Sequence, residues 1–399
     1  MKLDRASVIN SRVLPGALLL AALSAFVATD PWFSILEDET AIVSAAREPV
    51  SVTFLQFVQG TGNHEHPPLS DMLLHEWLSV GGASQWALRL PSILLFLGAL
   101  VLLAVAARKI AGQAAFLPVI CIGVFSPYAF HFARLTGWYS WSFFLVAALT
   151  LAYLRFLERA DAARICLFVV IALLLVYSNY YGWVVVGCLV FDACAIRRHP
   201  SAARLLLASL VVLGMAYTPL WPILGQLVAD HLGSAGQRPI LSFVALQLFH
   251  LYAAFVSESV APWFWKASVP TSIAIAAIGV LTIRYLPRKD RAFPAYFMVL
   301  FIGLALLDAL NTKRLLFISP WLILSIALAL ASVEPGRKQW ALALSLLAPA
   351  AVGWWGIAAR QYYAAPHFIE PWSELAVEAS NFVRRGAPSS PTVCLSDST

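Results

Sequence analysis

Eight acidic residues crowd into one stretch of the chain: Asp30, Glu37, Asp38, Glu39, Glu48, Glu65, Asp71 and Glu76, with His64, His66 and His75 among them. A carboxylate in such a stretch can take a proton from a hydroxyl, which is general-base chemistry. Helical spacing turns Asp38 and Glu39 in different directions, so they do not share one role. His64, Glu65 and His66 could line an entry, contact a phosphate or supply ligands to a divalent metal ion, although H-x-H in a loop is weak evidence for a metal. Cations elsewhere could receive an anion. Lys313 and Arg314 are adjacent, beside Asp308 and Asn311, and arginine's planar fork suits a phosphate. Arg89 and Arg134 are single cations that could either bind phosphate or reach out to lipid headgroups, and for Arg89 the headgroup reading is preferred. Tyr177, Asn179, Tyr180 and Tyr181 form a polar-aromatic turn, either an interfacial belt or a surface for stacking a sugar. His250, Glu258 and Lys266 are acceptor-side candidates.

The elements that must position these groups are apolar. The chain has 399 residues, 60% hydrophobic and 12% charged, with a mean hydropathy of +0.78. Soluble domains average about 25% charged residues, so a soluble globular enzyme and a disordered chain are both excluded. Apolar runs of membrane-crossing length recur, and the 10-residue alternation of a β-barrel is missing. The expected fold is an all-α polytopic membrane protein with about eleven spans: 14–29, 86–107, 114–131, 138–157, 165–179, 182–196, 205–222, 267–286, 294–310, 315–332 and 340–358. Residues 14–28 also fit a signal peptide with Lys2, Arg5 and Arg12 as its basic part, but a multi-span chain of this charge pattern needs that N-terminus inside. Residues 240–257 are read as an interfacial or re-entrant helix, with Gln247 and His250 on its wet side.

Charge sets the expected orientation. With the N-terminus in the cytoplasm, 17 of the 27 Lys and Arg residues fall in short inner loops, against 6 of the 21 acids. That is the positive-inside pattern, and it accounts for the net charge of +6 without any nucleic-acid partner. The expected location is the cell (inner) membrane, with the C-terminus and any active surface extracytoplasmic, because the inner loops are short and almost purely basic. In the first outer loop, about 30–85, two interfacial helices are expected, one near 35–47 and one opening at Pro67-Pro68. The second carries Leu69, Met72, Leu73, Trp77 and Val80 on one face and Ser70, Asp71, His75 and Ser79 on the other. Residues 359–399 read as a short outer tail, with a helix at 372–385 and a strand at 392–395. Cys121, Cys166, Cys188, Cys194 and Cys394 fit neither a disulfide framework nor a zinc site.

Several motifs now fall in order. A short first span leads to Leu36-Glu37-Asp38-Glu39, then to His66-Pro67-Pro68-Leu69 opening an amphipathic helix. Leu88-Arg89-Leu90-Pro91-Ser92 begins the second span, Ala133-Arg134 precedes the fourth, and Lys313-Arg314-Leu315-Leu316-Phe317 precedes Pro320. This ordered set resembles the membrane-integral glycosyltransferases of the GT-C superfamily, in the branch of protein O-mannosyltransferases and lipid A aminoarabinose transferases. The resemblance implies a polyprenyl-phosphate-linked sugar donor, a lipid, glycan or protein acceptor, and an outer-loop aspartate as catalytic carboxylate. The matching positions are Asp38 followed by Glu39. Related aminoarabinose transferases carry a lysine where His66 stands. Some relatives have a second acid near the fourth span, where 131–142 has none, and a longer soluble domain after the last span, so the tail here would be truncated or reduced.

The chemistry is coherent on its own terms. A lipid-linked sugar presents its anomeric carbon at the membrane surface with an anionic phosphate as leaving group. Inverting displacement needs a carboxylate to take the acceptor's proton, cations to stabilise the departing phosphate, and a tunnel between spans for the prenyl tail. No nucleotide is used, and no Rossmann fingerprint is found. A transporter or flippase of a lipid-linked precursor is the rival from another class, predicting broken helices at the bilayer midplane and a repeat between halves. A non-catalytic assembly subunit is the third reading.

Overall fold

A computed structural model describes residues 5–30, 33, 37–59, 66–234, 239–334 and 336–359, with side chains for all of these except 5–12, 37–38, 230–234 and 337–338. Among the described residues the chain is helical throughout and contains no strand. α1 (Arg5–Thr29) is followed by three short helices, α2 (Glu37–Ala46), α3 (Val50–Val58) and α4 (Leu69–Gly81). α5 (Gln85–Ala111), α6 (Phe116–Val124), α7 (Pro127–Phe132), α8 (Trp138–Glu158), α9 (Ala162–Val176) and α10 (Gly182–Phe191) come next, α10 running on into one π-helical turn at Asp192–Ile196. The remainder is α11 (Pro200–Ala216), α12 (Trp221–Ser234), α13 (Ile240–Val256), α14 (Trp265–Tyr285), α15 (Ala292–Leu306), α16 (Leu315–Ser332) and α17 (Arg337–Ala358).

Among the described residues five helices are long and apolar enough to cross a membrane: α5, α8, α14, α16 and most of α17. The bent pair α11–α12, kinked by 59°, makes a sixth if counted as one span. Other expected spans are shorter as helices, and local chemistry explains where they stop. Proline has no N–H and disfavours helix in the residue before it, so Ser126-Pro127 divides 114–131 into α6 and α7, the Ser126 hydroxyl accepting from the Ala129 amide at 3.1 Å. Tyr177 and Asn179 close α9 with amide bonds back to Leu173 and Leu175.

The core lies where α5, α8 and α16 pack together. Phe96, Leu100 and Leu103 of α5, Phe143, Val146 and Leu149 of α8, and Phe317, Trp321 and Leu324 of α16 are fully buried. Ala99, Ala104 and Ala107 leave room for close helix approach, the usual membrane solution where lipid offers no hydrophobic drive. Trp321 keeps its indole N–H satisfied by donating to Thr150 Oγ1 at 3.0 Å. α14 and α17 are peripheral and expose Ile273, Val280, Ile283, Leu344 and Leu347.

The described residues between 30 and 85 form three helices where two were expected. α3 was hidden because Val50, Val52, Thr53, Phe54 and Phe57 are strand-favouring residues. Packing overrides that preference: Phe57 is buried against Val176, Tyr180, Tyr217, Leu220 and Ile223. α4 turns Ser70, Asp71 and Leu74 inward and leaves Leu73 and Val80 exposed. Side-chain contacts keep the two expected sets of loops apart. Lys109 pairs with Glu158, and Arg197 with Asp192 and Asp290, at the basic end. At the other end Leu69 N–H donates to the Tyr177 carbonyl, Trp141 to Ser178 and Tyr128 to the Thr312 carbonyl.

Gly356 of α17 lies against the 257–259 turn, where an added Cβ would meet the Ser259 carbonyl oxygen at 2.7 Å. Gly356→Ala should therefore cost about 1–3 kcal/mol and lower the melting temperature of the detergent-solubilised protein. Gly187→Ala, with open space around its Cβ position, should leave melting unchanged or slightly raised.

Candidate functional site

Arg89 sits in the first turn of α5 and is 1% exposed. Its Nη2 donates to Glu39 Oε2 at 2.8 Å and its Nε to Glu39 Oε1 at 3.3 Å. Nη1 donates to Asp30 Oδ1 at 3.1 Å and to the Phe33 carbonyl at 2.9 Å. Glu39 Oε1 also accepts the Thr136 amide at 2.9 Å. The side chain of Gln85 adds bonds to the carbonyls of Asp30 and Phe33. Contrary to the headgroup reading, Arg89 does not reach lipid. A guanidinium enclosed by protein needs anionic partners, and two carboxylates meet it here. Glu39, one of the two expected catalytic acids, has both oxygens in this network. Asp38 lies in the first turn of α2, and its side chain is outside the described residues, as are the whole of Glu65, His64 and the tail from 360 on.

Arg134 is equally buried. Its guanidinium lies 4.0 Å from the Phe33 ring centroid, 4.5 Å from Phe130 and 5.2 Å from Phe26. It donates to Thr29 Oγ1 at 3.1 Å and to the Phe130 carbonyl at 3.2 Å. These cation–π and hydrogen-bond contacts fasten the end of α1 to α7.

His66 and Asp71 form a second buried polar group, 7% and 6% exposed. His66 Nδ1 is 4.0 Å from Asp71 Oδ2 and has no hydrogen-bond partner. The Ser70 hydroxyl lies 3.4 Å from Asp71 Oδ1, and the His66 ring meets Trp138 edge-on with centroids 6.1 Å apart. Burial pushes the Asp71 carboxyl above the usual aspartate range, with the His66 charge and the Ser70 hydroxyl pulling the other way. In the turn that Leu69 reaches through the Tyr177 carbonyl, Asn179 Oδ1 accepts the Tyr181 amide at 2.9 Å while its Nδ2 is buried without a partner. Tyr180 packs against Phe57, and burial holds the Tyr180 and Tyr181 hydroxyls neutral by raising both.

An apolar cavity of about 430 Å³ opens beside this group, between α4, α5 and α8. Leu73, Trp77, Leu88, Pro91, Trp141 and Phe144 supply its walls, and Ser70, Ser92 and Thr136 are its polar members. A second apolar cavity of about 360 Å³ lies between α6, α7, α13, α16 and α17.

The remaining candidates gather around the start of α16. Lys313 and Arg314 are half-buried. Arg314 Nη1 donates to the Ala309 carbonyl at 2.7 Å, and the Asn311 side chain caps the Arg314 amide at 2.8 Å. The Arg314 charge reaches Tyr181 and draws its hydroxyl down against the effect of burial. His250 is buried on α13 with Nδ1 3.4 Å from Thr312 Oγ1, and Glu258 is buried in the following turn. Lys266 is exposed beside Trp265. Among the described residues no group of three or more His, Cys, Asp or Glu side chains is placed to hold a metal ion.

Two features escaped the sequence. Asp71 was visible only as one polar position on α4, and its inward turn depends on tertiary packing. Ser257 adopts φ 64° and ψ −164°, a backbone region that residues other than glycine rarely enter, with its Oγ 2.6 Å from His131 Nδ1. No family model matches the chain, and no curated protein matches it either.

The Arg89 network makes a stability prediction. Removing one member of a buried charge cluster costs about 3–5 kcal/mol. Arg89→Ala and Glu39→Gln should each lower the melting temperature markedly, and the double variant should lose less than the sum, since the two share one interaction.

Proposed function

We propose that the protein is a polyprenyl-phosphate-dependent glycosyltransferase whose reaction takes place on the extracytoplasmic face of the membrane. The observation that carries this reading is the apolar cavity between α4, α5 and α8 lying against buried carboxylates. Its walls suit a prenyl tail, and Ser70 and Thr136 tie it to Asp71 and Glu39 respectively. A lipid-linked donor is a molecule with one such tail and one anionic, sugar-bearing head. The head would meet the half-buried cations Lys313 and Arg314, and the proton acceptor comes from the carboxylates between α1 and α5, among which the GT-C resemblance nominates Asp38. In this reading the N-terminus is cytoplasmic. α1 and the shorter helices α6–α7, α9, α10 and α15, with the bent pair α11–α12, complete eleven crossings, and α13 is interfacial or re-entrant.

The transporter reading has less support. The break between α11 and α12 falls beside Tyr217, which packs on the Tyr177 ring in the turn that ends α9, and in the proposed topology that turn is extracytoplasmic. The intramembrane acid Asp192 is paired with Arg197 at the basic end.

Purified protein in nanodiscs, given membrane extract and polyprenyl phosphates carrying labelled mannose, glucose or a pentose, should transfer label from at least one donor. No transfer from any of these donors would refute the reading. Losing a charge-assisted bond to phosphate costs about 1.5–3 kcal/mol. Arg314→Gln should accordingly raise the donor KM about tenfold or more, with a smaller change in kcat.

A further inference from the structure

We propose that Asp71, with His66 beside it, is the group that takes the proton from the acceptor hydroxyl. The inference rests on the transferase reading and deepens it. In the step, the acceptor oxygen forms a bond to the anomeric carbon and its proton passes to a carboxylate oxygen of Asp71. The bond from that carbon to the phosphate oxygen breaks, and the electron pair leaves with the prenyl phosphate.

Three observations carry this. The first is the state of the competing acids. Glu39 gives both oxygens to Arg89 and Thr136, and Asp30 gives one to Arg89. Protonating either would leave a buried guanidinium short of a counter-charge. Asp71 carries no such duty, since its nearest cationic partner is His66 at 4.0 Å, beyond hydrogen-bond distance.

The second is the unmatched donor. His66 Nδ1 is buried and unpartnered and lies 4.0 Å from the same carboxylate, close enough for one hydroxyl at the side of the pair to reach both. An unsatisfied buried nitrogen costs stability, and a hydroxyl bound there would satisfy it. Asn179 Nδ2, also buried and unpartnered, lies in the turn that the start of α4 touches through Leu69 and Tyr177.

The third is basicity. Burial makes Asp71 a stronger base than an exposed carboxylate. His66 and the N-terminal end of α4, where Asp71 sits in the first turn, favour the ionised form. The elements packed on α4 add little charge. α3 has no ionisable residue, the first turn of α8 has only Tyr139, and α5 contributes Arg89, already paired with Glu39 of α2. Glu37 and Asp38 open α2, and His75, one turn along α4, is bonded to the Ala46 carbonyl.

The test uses the full-length protein in nanodiscs with whichever labelled prenyl-phosphate sugar the donor panel identifies. Asp71→Asn should lower kcat by about 10²–10⁴-fold with donor KM and polyprenyl phosphate binding nearly unchanged, and Asp71→Glu should recover part of the loss. Because His66 holds the Asp71 carboxyl down, His66→Gln should move the acid limb of the kcat profile to higher pH. The exposed Glu76→Gln serves as the control and should behave as wild type. Transfer by Asp71→Asn within threefold of wild type, a loss confined to KM, or an acid limb unmoved in His66→Gln would overturn the proposal. Abolished transfer in Asp38→Asn alone would return the role to Asp38. A wild type silent with every donor would instead overturn the transferase reading itself, and this role with it. Melting temperatures of the variants separate loss of chemistry from loss of fold.

Discussion

A guanidinium withdrawn from water must be answered by negative charge, and the architecture around the acidic end follows from that requirement. Arg89 begins a long apolar helix, yet its counter-charges come from Glu39 and Asp30, 50 and 59 positions earlier in the chain. To meet them, the chain after α1 must fold back over the start of α5. Asp30 and Phe33 are held at one side and α2 at the other. Through Thr136 the same carboxylate also fixes the approach to α8. One cation thereby orders α1, α2, α5 and the α7–α8 connection, and two of these, α5 and that connection, line the cavity together with α4 and α8.

Arg134 extends the arrangement with little added charge. Its partners are three phenylalanine rings, a threonine hydroxyl and a backbone carbonyl. Both arginines had phosphate binding among their readings from sequence. Enclosed this way they shape the site and its electrostatic potential, and the half-buried Lys313 and Arg314 are better exposed to meet a ligand.

Much of the fold was legible in the amino-acid sequence. Long apolar runs gave α5, α8, α14, α16 and α17 to within four residues at each end, because helix length and hydropathy are local properties. What stayed hidden depended on distance or on geometry. Leu88-Arg89-Leu90-Pro91 reads as a span boundary, and nothing nearby announces partners five dozen residues away. α3 is written in strand-favouring residues and becomes helical through Phe57. Asp71 read as one position on the polar face of an interfacial helix, yet α4 turns it into the protein. The positive φ of Ser257 leaves no trace in composition.

The shortness of several helices carries a consequence for the surrounding lipid. α9 has 15 residues, so it measures about 22 Å, against a hydrocarbon core of about 30 Å, and it presents Leu167 and Val170 outward. Were α9 one of the eleven crossings proposed above, acyl chains seated against that flank would be compressed and phosphate headgroups drawn toward the bilayer centre. The tyrosine turn that ends α9 would then stand in the depressed headgroup layer, within sideways reach of an amphiphile that never has to leave its leaflet.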